Sequence, residues 1–178
     1  VPHVFAKNDK DLFFSAGYIA ARERLFQMSM VAYAVRGELA SALGDKYVSS
    51  DIYLRTWKIP RIAKQLAENM YPEERKILEA FCQGINAHID EAMDDLPIEF
   101  KILRIKPPYW NPSDVTGYAR MMAHEMQSSW KPEIVYGAIA EYFGIEKLKE
   151  IYPGYIPNEP TIAHGMKPVF DRILSHEF

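Results

Sequence analysis

The chain has 178 residues, 48% of them hydrophobic, enough to bury one core or to form half of a larger body. Its 21 basic and 24 acidic residues leave a net charge of −3, so no basic excess points to nucleic acid or to an anionic membrane surface. A single cysteine, Cys82, excludes an internal disulfide. No run of about 18 apolar residues is present to span a membrane, and no secretory leader is visible.

The chain opens on Val1-Pro2-His3-Val4-Phe5-Ala6, which reads as a short strand. A chain that starts inside an element has lost residues by processing, truncation or disorder. Asn8 or Asp9 then caps a helix with Asp11 in its first turn, running to about Val35 and stopping near Gly37. Its apolar residues, Leu12, Ala16, Ile19, Phe26 and Met30 on one face and Gly17, Ala21, Leu25 and Met28 on another, predict a buried helix. Arg22, Glu23 and Arg24 in its middle must then find partners, unless they face water. A short helix over Glu38 to Leu43 ends at Gly44, an aromatic-rich stretch runs from Asp51 to Trp57, and Arg61 to Asn69 reads as helix.

Glu73 to Met93 is predicted as a long helix with Ile77, Leu78, Phe81, Ile85 and Ile89 inward, and Gly84 in its interior implies close backbone packing. Pro97, Pro107, Pro108 and Pro112 make Leu96 to Pro112 mostly loop. Ser113 or Asp114 caps a helix from Val115 to about Gln127. Pro132 opens another, Glu133 to Phe143, closed by Gly144, with a short helix over 145–151. The reading is therefore a mainly α chain with a short N-terminal strand, a helical body over 1–151 and a proline-rich arm over 152–178 that wraps another surface.

Chemistry is sparse. His124-Glu125 starts the zinc-protease pattern H-E-x-x-H, but Ser128 stands where the second histidine belongs. No G-x-S-x-G, phosphate-binding loop or dinucleotide fingerprint occurs. Cys82 beside Phe81 on a helix reads as a buried structural thiol. No complete active site is present.

Several segments, in order, carry a resemblance: Pro2-His3-Val4-Phe5-Ala6-Lys7-Asn8 with Leu12-Phe13 and Gly17-Tyr18; Ala21 with Glu23-Arg24-Leu25-Phe26-Gln27-Met28; Gly37-Glu38-Leu39-Ala40 with Leu43-Gly44; Asp51 with Arg55; Gly84 with Asn86-Ala87; and Glu99-Phe100 followed by Pro107, Trp110, Pro112 and Asp114. Together they resemble the α chains of the penicillin acylase family over about residues 1 to 145. Glu23 replaces a commoner Asp, and Ala32-Tyr33 stand where arginines are frequent.

That resemblance implies an N-terminal-nucleophile hydrolase: an αββα heterodimer cut from one precursor, in the periplasm or secreted. The first Ser of the β chain attacks an amide carbonyl and its own α-amine is the base. This chain then carries no catalytic residue. It implies an obligate β-chain partner, a small N-acyl amide as substrate (a β-lactam, an acyl-homoserine lactone or an acylated amine), no nucleic acid and no membrane span. It places Ala123, Met126 and Gln127 at the acyl pocket, with Met122 in place of Ala123 if the helix register shifts by one. Met122 and Met126 are equally what an ordinary core would use. It also places Glu133 as one ligand of a single calcium ion shared with the β chain, although a carboxylate in a helix's first turn is favoured by the dipole alone. The alternative from another class is a catalytically inactive homologue that binds acyl ligands or partners.

Overall fold

A computed structural model describes residues 2–127 and 130–152. The chain divides into two units, Val1–Met126 and Gln127–Phe178. The expected proline-rich arm, from residue 153 onward, lies outside the described residues.

In the first unit, α1 (Asp9–Arg36) starts where Asn8 accepts a hydrogen bond from the Asp11 backbone N–H, 2.9 Å, and stops where Gly37 turns left-handed at φ 66°. There the Gly37 and Glu38 N–H groups close back onto the Ala34 and Tyr33 carbonyls. After it come α2 (Leu39–Leu43), a 3-10 turn (Asp45–Tyr47), α3 (Val48–Thr56) and α4 (Ile59–Glu68). Then follow α5 (Pro72–Ala92), α6 (Ile98–Leu103) and α7 (Pro112–Met126).

The core is an α1–α5 pair drawn together by two glycines. A Cβ on Gly17 would stand 2.0 Å from the Phe81 carbonyl oxygen, and one on Gly84 would stand 1.9 Å from that of Phe14. Each helix thus gives up a side chain where the other's backbone passes, as Gly84 predicts. Ala21, Leu25, Ala32, Cys82, Ile85, Ile89, Phe100 and Trp110 fill the interior. In the second unit, α8 (Trp130–Phe143) packs on α9 (Ile145–Ile151), with Tyr136 and Tyr152 stacked at 4.6 Å.

Two expectations are corrected. Residues 2–6 form no strand, because a strand needs a ladder partner and the described residues offer none; no backbone hydrogen bond reaches this stretch. Arg22, Glu23 and Arg24 lie on the exposed side of α1, Arg22 paired with Glu23 at 3.0 Å, so they are not buried charges. The helix also departs from helical geometry at Arg24 (φ −141°), yet its buried residues, Gly17, Ala21, Leu25, Ser29, Ala32 and Val35, keep one stripe at steps of three and four. The stretch from Leu96 to Pro112 is mostly loop, as expected, with one short helix inside it. Pro97 precedes α6, whose residues 98–103 contain no proline and are anchored by buried Phe100.

Candidate functional site

The site is built on α7. Ser113 and Asp114 were expected to cap it, but the cap is Asn111: its Oδ1 accepts from the Ser113 N–H at 2.9 Å. Asp114 reaches back to the Asn111 N–H at 2.8 Å, closing a reciprocal capping box with Pro112 in the first turn. Asp114 has a second role. Buried to 2% exposure, it receives Arg36 of α1 in a two-pronged pair, Nε to Oδ1 at 2.7 Å and Nη2 to Oδ2 at 2.8 Å. Arg36 also donates to the Tyr109 carbonyl. Its hydrogen bonds to Asp114 hold the Arg36 guanidinium charged beyond its ordinary range, against the opposing effect of burial. One carboxylate therefore fixes the start of α7 and the end of α1. Thr116 adds a bond from Oγ1 to the Ala63 carbonyl of α4, 2.8 Å.

With Asp114, Thr116 and Gly117 turned inward, helical geometry turns the sequence-predicted pocket residues outward. Met122, Ala123 and Met126 share the outer face of α7, all exposed, Met126 to 77%. Among the described residues nothing packs over the two methionines as a core would. Met122 and Met126 continue a stripe that begins with Val115 and Tyr118, at steps of three and four. Val115 and Tyr118 themselves wall an apolar notch of about 250 Å³ with Gln27, Met28, Val31, Phe81 and Trp110. Ala123 lies beside this stripe, so a one-residue shift of register exchanges Met122 for Ala123 without leaving the outer face.

The inner side of the same turns carries His124, which the sequence reading weighed only as a zinc ligand and rejected as one. His124 Nε2 lies 2.9 Å from the hydroxyl of Tyr53, and its ring sits 4.6 Å from that of Trp57 and 5.7 Å from that of Tyr53. Tyr53 and Trp57, one helical turn apart, are the signal that pointed to one aromatic face of α3.

Gln127 and Glu133 belong to the second unit. Gln127 is exposed, and Glu133 is an exposed carboxylate in the first turn of α8. Among the described residues, no group of three or more His, Cys, Asp and Glu side chains is arranged to hold a metal. Glu133 offers the oxygen chemistry a calcium ion takes, as one ligand of a shared site and not as a site by itself. Cys82 is 3% exposed in the core, and burial pushes its thiol up to about 12. It is built into the packing and not into a reactive centre.

Among relatives, the chain is 33% identical over 119 residues to penicillin G acylase of Escherichia coli, covering 65% of this chain and 14% of that protein. It is 28% identical over 149 residues to acyl-homoserine lactone acylase QuiP of Pseudomonas aeruginosa, covering 84% and 18%. To penicillin acylase 2 proenzyme of a Pseudomonas species it is 28% identical over 130 residues, covering 73% and 17%. The chain thus spans less than a fifth of the length of these relatives. A solved structure, a thermostable penicillin G acylase from Alcaligenes faecalis, superposes with a TM-score of 0.68 at 25% identity, covering 94% of this chain and 92% of that one. The family model described as penicillin amidase matches residues 1–165. With a helical body that superposes on a penicillin G acylase chain and a family match over nearly its whole length, the chain belongs to the penicillin amidase family.

Proposed function

We propose that this chain is the α-type, non-nucleophilic part of an amidohydrolase that cleaves the amide bond of an N-acyl compound. The observation that carries the reading is the outer face of α7. Met122 and Met126 extend a stripe that runs into an apolar notch, a surface suited to a flexible acyl chain. The relatives' names, penicillin G acylase and acyl-homoserine lactone acylase, support both the acyl group and the amide bond. The amine side stays open between them.

In this reading, the Ser at the start of a β chain from the same precursor attacks the amide carbonyl. Its own α-amine, with an ordinary pKa near 8, takes the hydroxyl proton and passes it to the leaving amine. Water then releases the acyl group from the ester by the same route. Backbone donors on the β chain hold the oxyanion. The share of the relatives' length beyond this chain, and the proenzyme named among them, support a nucleophile outside it. The outer face of α7 contributes acyl binding, and Gln127 lies next to it in sequence.

Calcium bound by Glu133 and β-chain oxygens would tie the two chains together and supply no step of the reaction. In this reading the assembly works in the periplasm or outside the cell, which likeness to its family supports; in this chain, no described helix is long and apolar enough to cross a membrane.

The test is to express the full-length precursor and sequence the N-terminus of the chain that co-purifies. Hydrolysis is then assayed on N-acyl amides from acetyl to dodecanoyl plus phenylacetyl, on wild type and Met126→Phe. A β chain beginning with Ser, a rate that climbs with acyl length and a Met126→Phe shift toward shorter chains are expected. Each buried methylene should contribute about 0.8 kcal/mol. Identical profiles for the two proteins remove Met126 from the pocket. Acyl binding with no turnover favours the inactive homologue.

A further inference from the structure

We propose that His124 is a positioning residue which, clamped by Tyr53 and Trp57 of α3, sets the placement of the outer α7 face and through it the selectivity for acyl length. The inference rests on the functional reading above.

The two halves of α7 are held very differently. Its first half is fixed three times over: by the Asn111–Asp114 capping box, by the Arg36–Asp114 pair and by the Thr116 bond to α4. All its buried residues, Asp114, Thr116 and Gly117, lie there. Its second half, which carries Met122, Ala123 and Met126, buries no residue. Among the described residues, one side-chain hydrogen bond joins that half to another element, from Tyr53 to His124 at 2.9 Å. The same imidazole is the one ring of that half in aromatic contact, with Trp57 at 4.6 Å and Tyr53 at 5.7 Å.

The other side of the clamp is firm. Tyr53 and Trp57 pack edge to face at 6.3 Å. Trp57 closes α3, and the next residue, Lys58, takes a left-handed turn (φ 58°) that seats fully buried Ile59 at the start of α4. α4 is in turn the helix against which α7 packs. The imidazole is thus a strut from a braced corner to the half of the helix that holds no fully buried residue. Movement of that end displaces Met122 and Met126, one turn apart on its outer side, and leaves the first half of α7 where it is.

The consequence for catalysis follows from where the chemistry is. Loosening an acyl-binding face changes contacts made equally in the ground and transition states, so it raises KM and spares kcat, and it does so more for long acyl chains than for acetyl. Loss of the hydrogen bond alone, in Tyr53→Phe, should raise KM for the decanoyl amide roughly threefold to fivefold. Loss of bond and stacking together, in His124→Ala, should raise it roughly tenfold or more. His124→Phe, which restores a ring and not the bond, should return part of the way.

The experiment uses the matured full-length protein. Hydrogen exchange of the peptide covering residues 118–126 is measured beside KM and kcat for acetyl, hexanoyl and decanoyl amides, in wild type, Tyr53→Phe, His124→Ala and His124→Phe. Faster exchange confined to that peptide, with a length-dependent rise in KM at constant kcat and partial recovery in His124→Phe, is the expected result. Unchanged exchange in Tyr53→Phe and His124→Ala overturns the clamp. Faster exchange with an unchanged acyl-length profile reduces it to a structural contact and overturns the selectivity role. A wild type without amide hydrolysis overturns the functional reading and the selectivity role with it, while the exchange data still decide whether the clamp exists.

Discussion

Helices α5 and α8 invite comparison because their compositions suggest the reverse of what they do. α8 carries Trp130, Ile134, Val135, Ile139, Tyr142 and Phe143 against three charged residues, Lys131, Glu133 and Glu141, and it buries nothing. α5 carries seven charged residues, Glu73, Glu74, Arg75, Lys76, Glu79, Asp90 and Glu91, and it buries Ala80, Cys82, Gly84, Ile85 and Ile89. The difference lies in what stands opposite. α5 has α1, approached at carbonyl-contact distance through reciprocal glycines; α8 has, among the described residues of its unit, the short α9 and Tyr152. A helix apolar on every side is ordinarily an interior helix. The comparison teaches that burial follows from what stands opposite a helix and not from its composition: the α1–α5 pair closes on itself, while α8 leaves its apolar residues exposed among the described residues.

The self-sufficient side of the comparison is tested hardest at Asp114. Asp114→Ala removes the capping box and leaves the partly buried Arg36 guanidinium without its carboxylate, so a loss of about 3 to 5 kcal/mol is expected in urea melts of the full-length protein. A loss below 1 kcal/mol, on the order of an exposed pair, would show that this node is not structural. Next comes Gly84→Ala, where the new Cβ must push the Phe14 carbonyl away. Overpacking of this kind should lower stability by about 3 kcal/mol. A Tm equal to wild type would mean that α1 and α5 are free to separate, and the contrast with α8 would weaken.

The other side is tested at Ile134, 64% exposed in this chain. If a partner covers α8, Ile134→Asp should destabilise the full assembly by about 2 kcal/mol. If α8 is plain surface, the change should stay within about 0.5 kcal/mol. The smallest effect belongs to Cys82. Its folded thiol holds a proton up to about 12 while the unfolded one releases it near 9.0, so stability should decline as pH rises through that interval. The decline should be shallower in Cys82→Ala. In the native protein at pH 8, alkylation of Cys82 should be slow and should follow unfolding; fast labelling would mean that the α1–α5 interior opens locally.

Much of the fold was legible because its punctuation is local. Asn8 and Gly37 bound α1 by cap geometry, Gly44 and Gly144 close their helices, and Gly84 announced a close approach. What was not legible depends on pairs distant in sequence. Nothing near Arg36 reveals that Asp114 is its partner, and nothing near His124 reveals Tyr53 and Trp57. The charged run at 22–24 misled because apolar residues on two faces were read as burial all round, whereas α1 buries one stripe, Gly17, Ala21, Leu25, Ser29, Ala32 and Val35, and 22–24 fall between its members. The opening strand misled because an extended sequence was read without asking what it would pair with. Of the site residues, the outward placement of Met122, Ala123 and Met126 follows from their spacing once Asp114 and Gly117 are known to face in. No rule of spacing reaches the ligands that Glu133 would share.

Asp51 and Arg55 hold the corner between α1 and α2 through backbone atoms alone. The Asp51 carboxylate accepts the N–H groups of Leu39 and Ala40, each at 2.8 Å, and Arg55 Nε donates to the Gly37 carbonyl at 2.9 Å. A corner read through main-chain groups does not depend on which side chains its residues carry. Positions 38 to 41 are therefore free to drift in evolution, and libraries randomised there should be rich in folded members. Position 37 is not free, since a Cβ would meet the Arg55 side chain at 2.8 Å and the backbone there is left-handed. Inheritance at this corner is carried by three residues, Gly37, Asp51 and Arg55, and the letters between them are left for other uses.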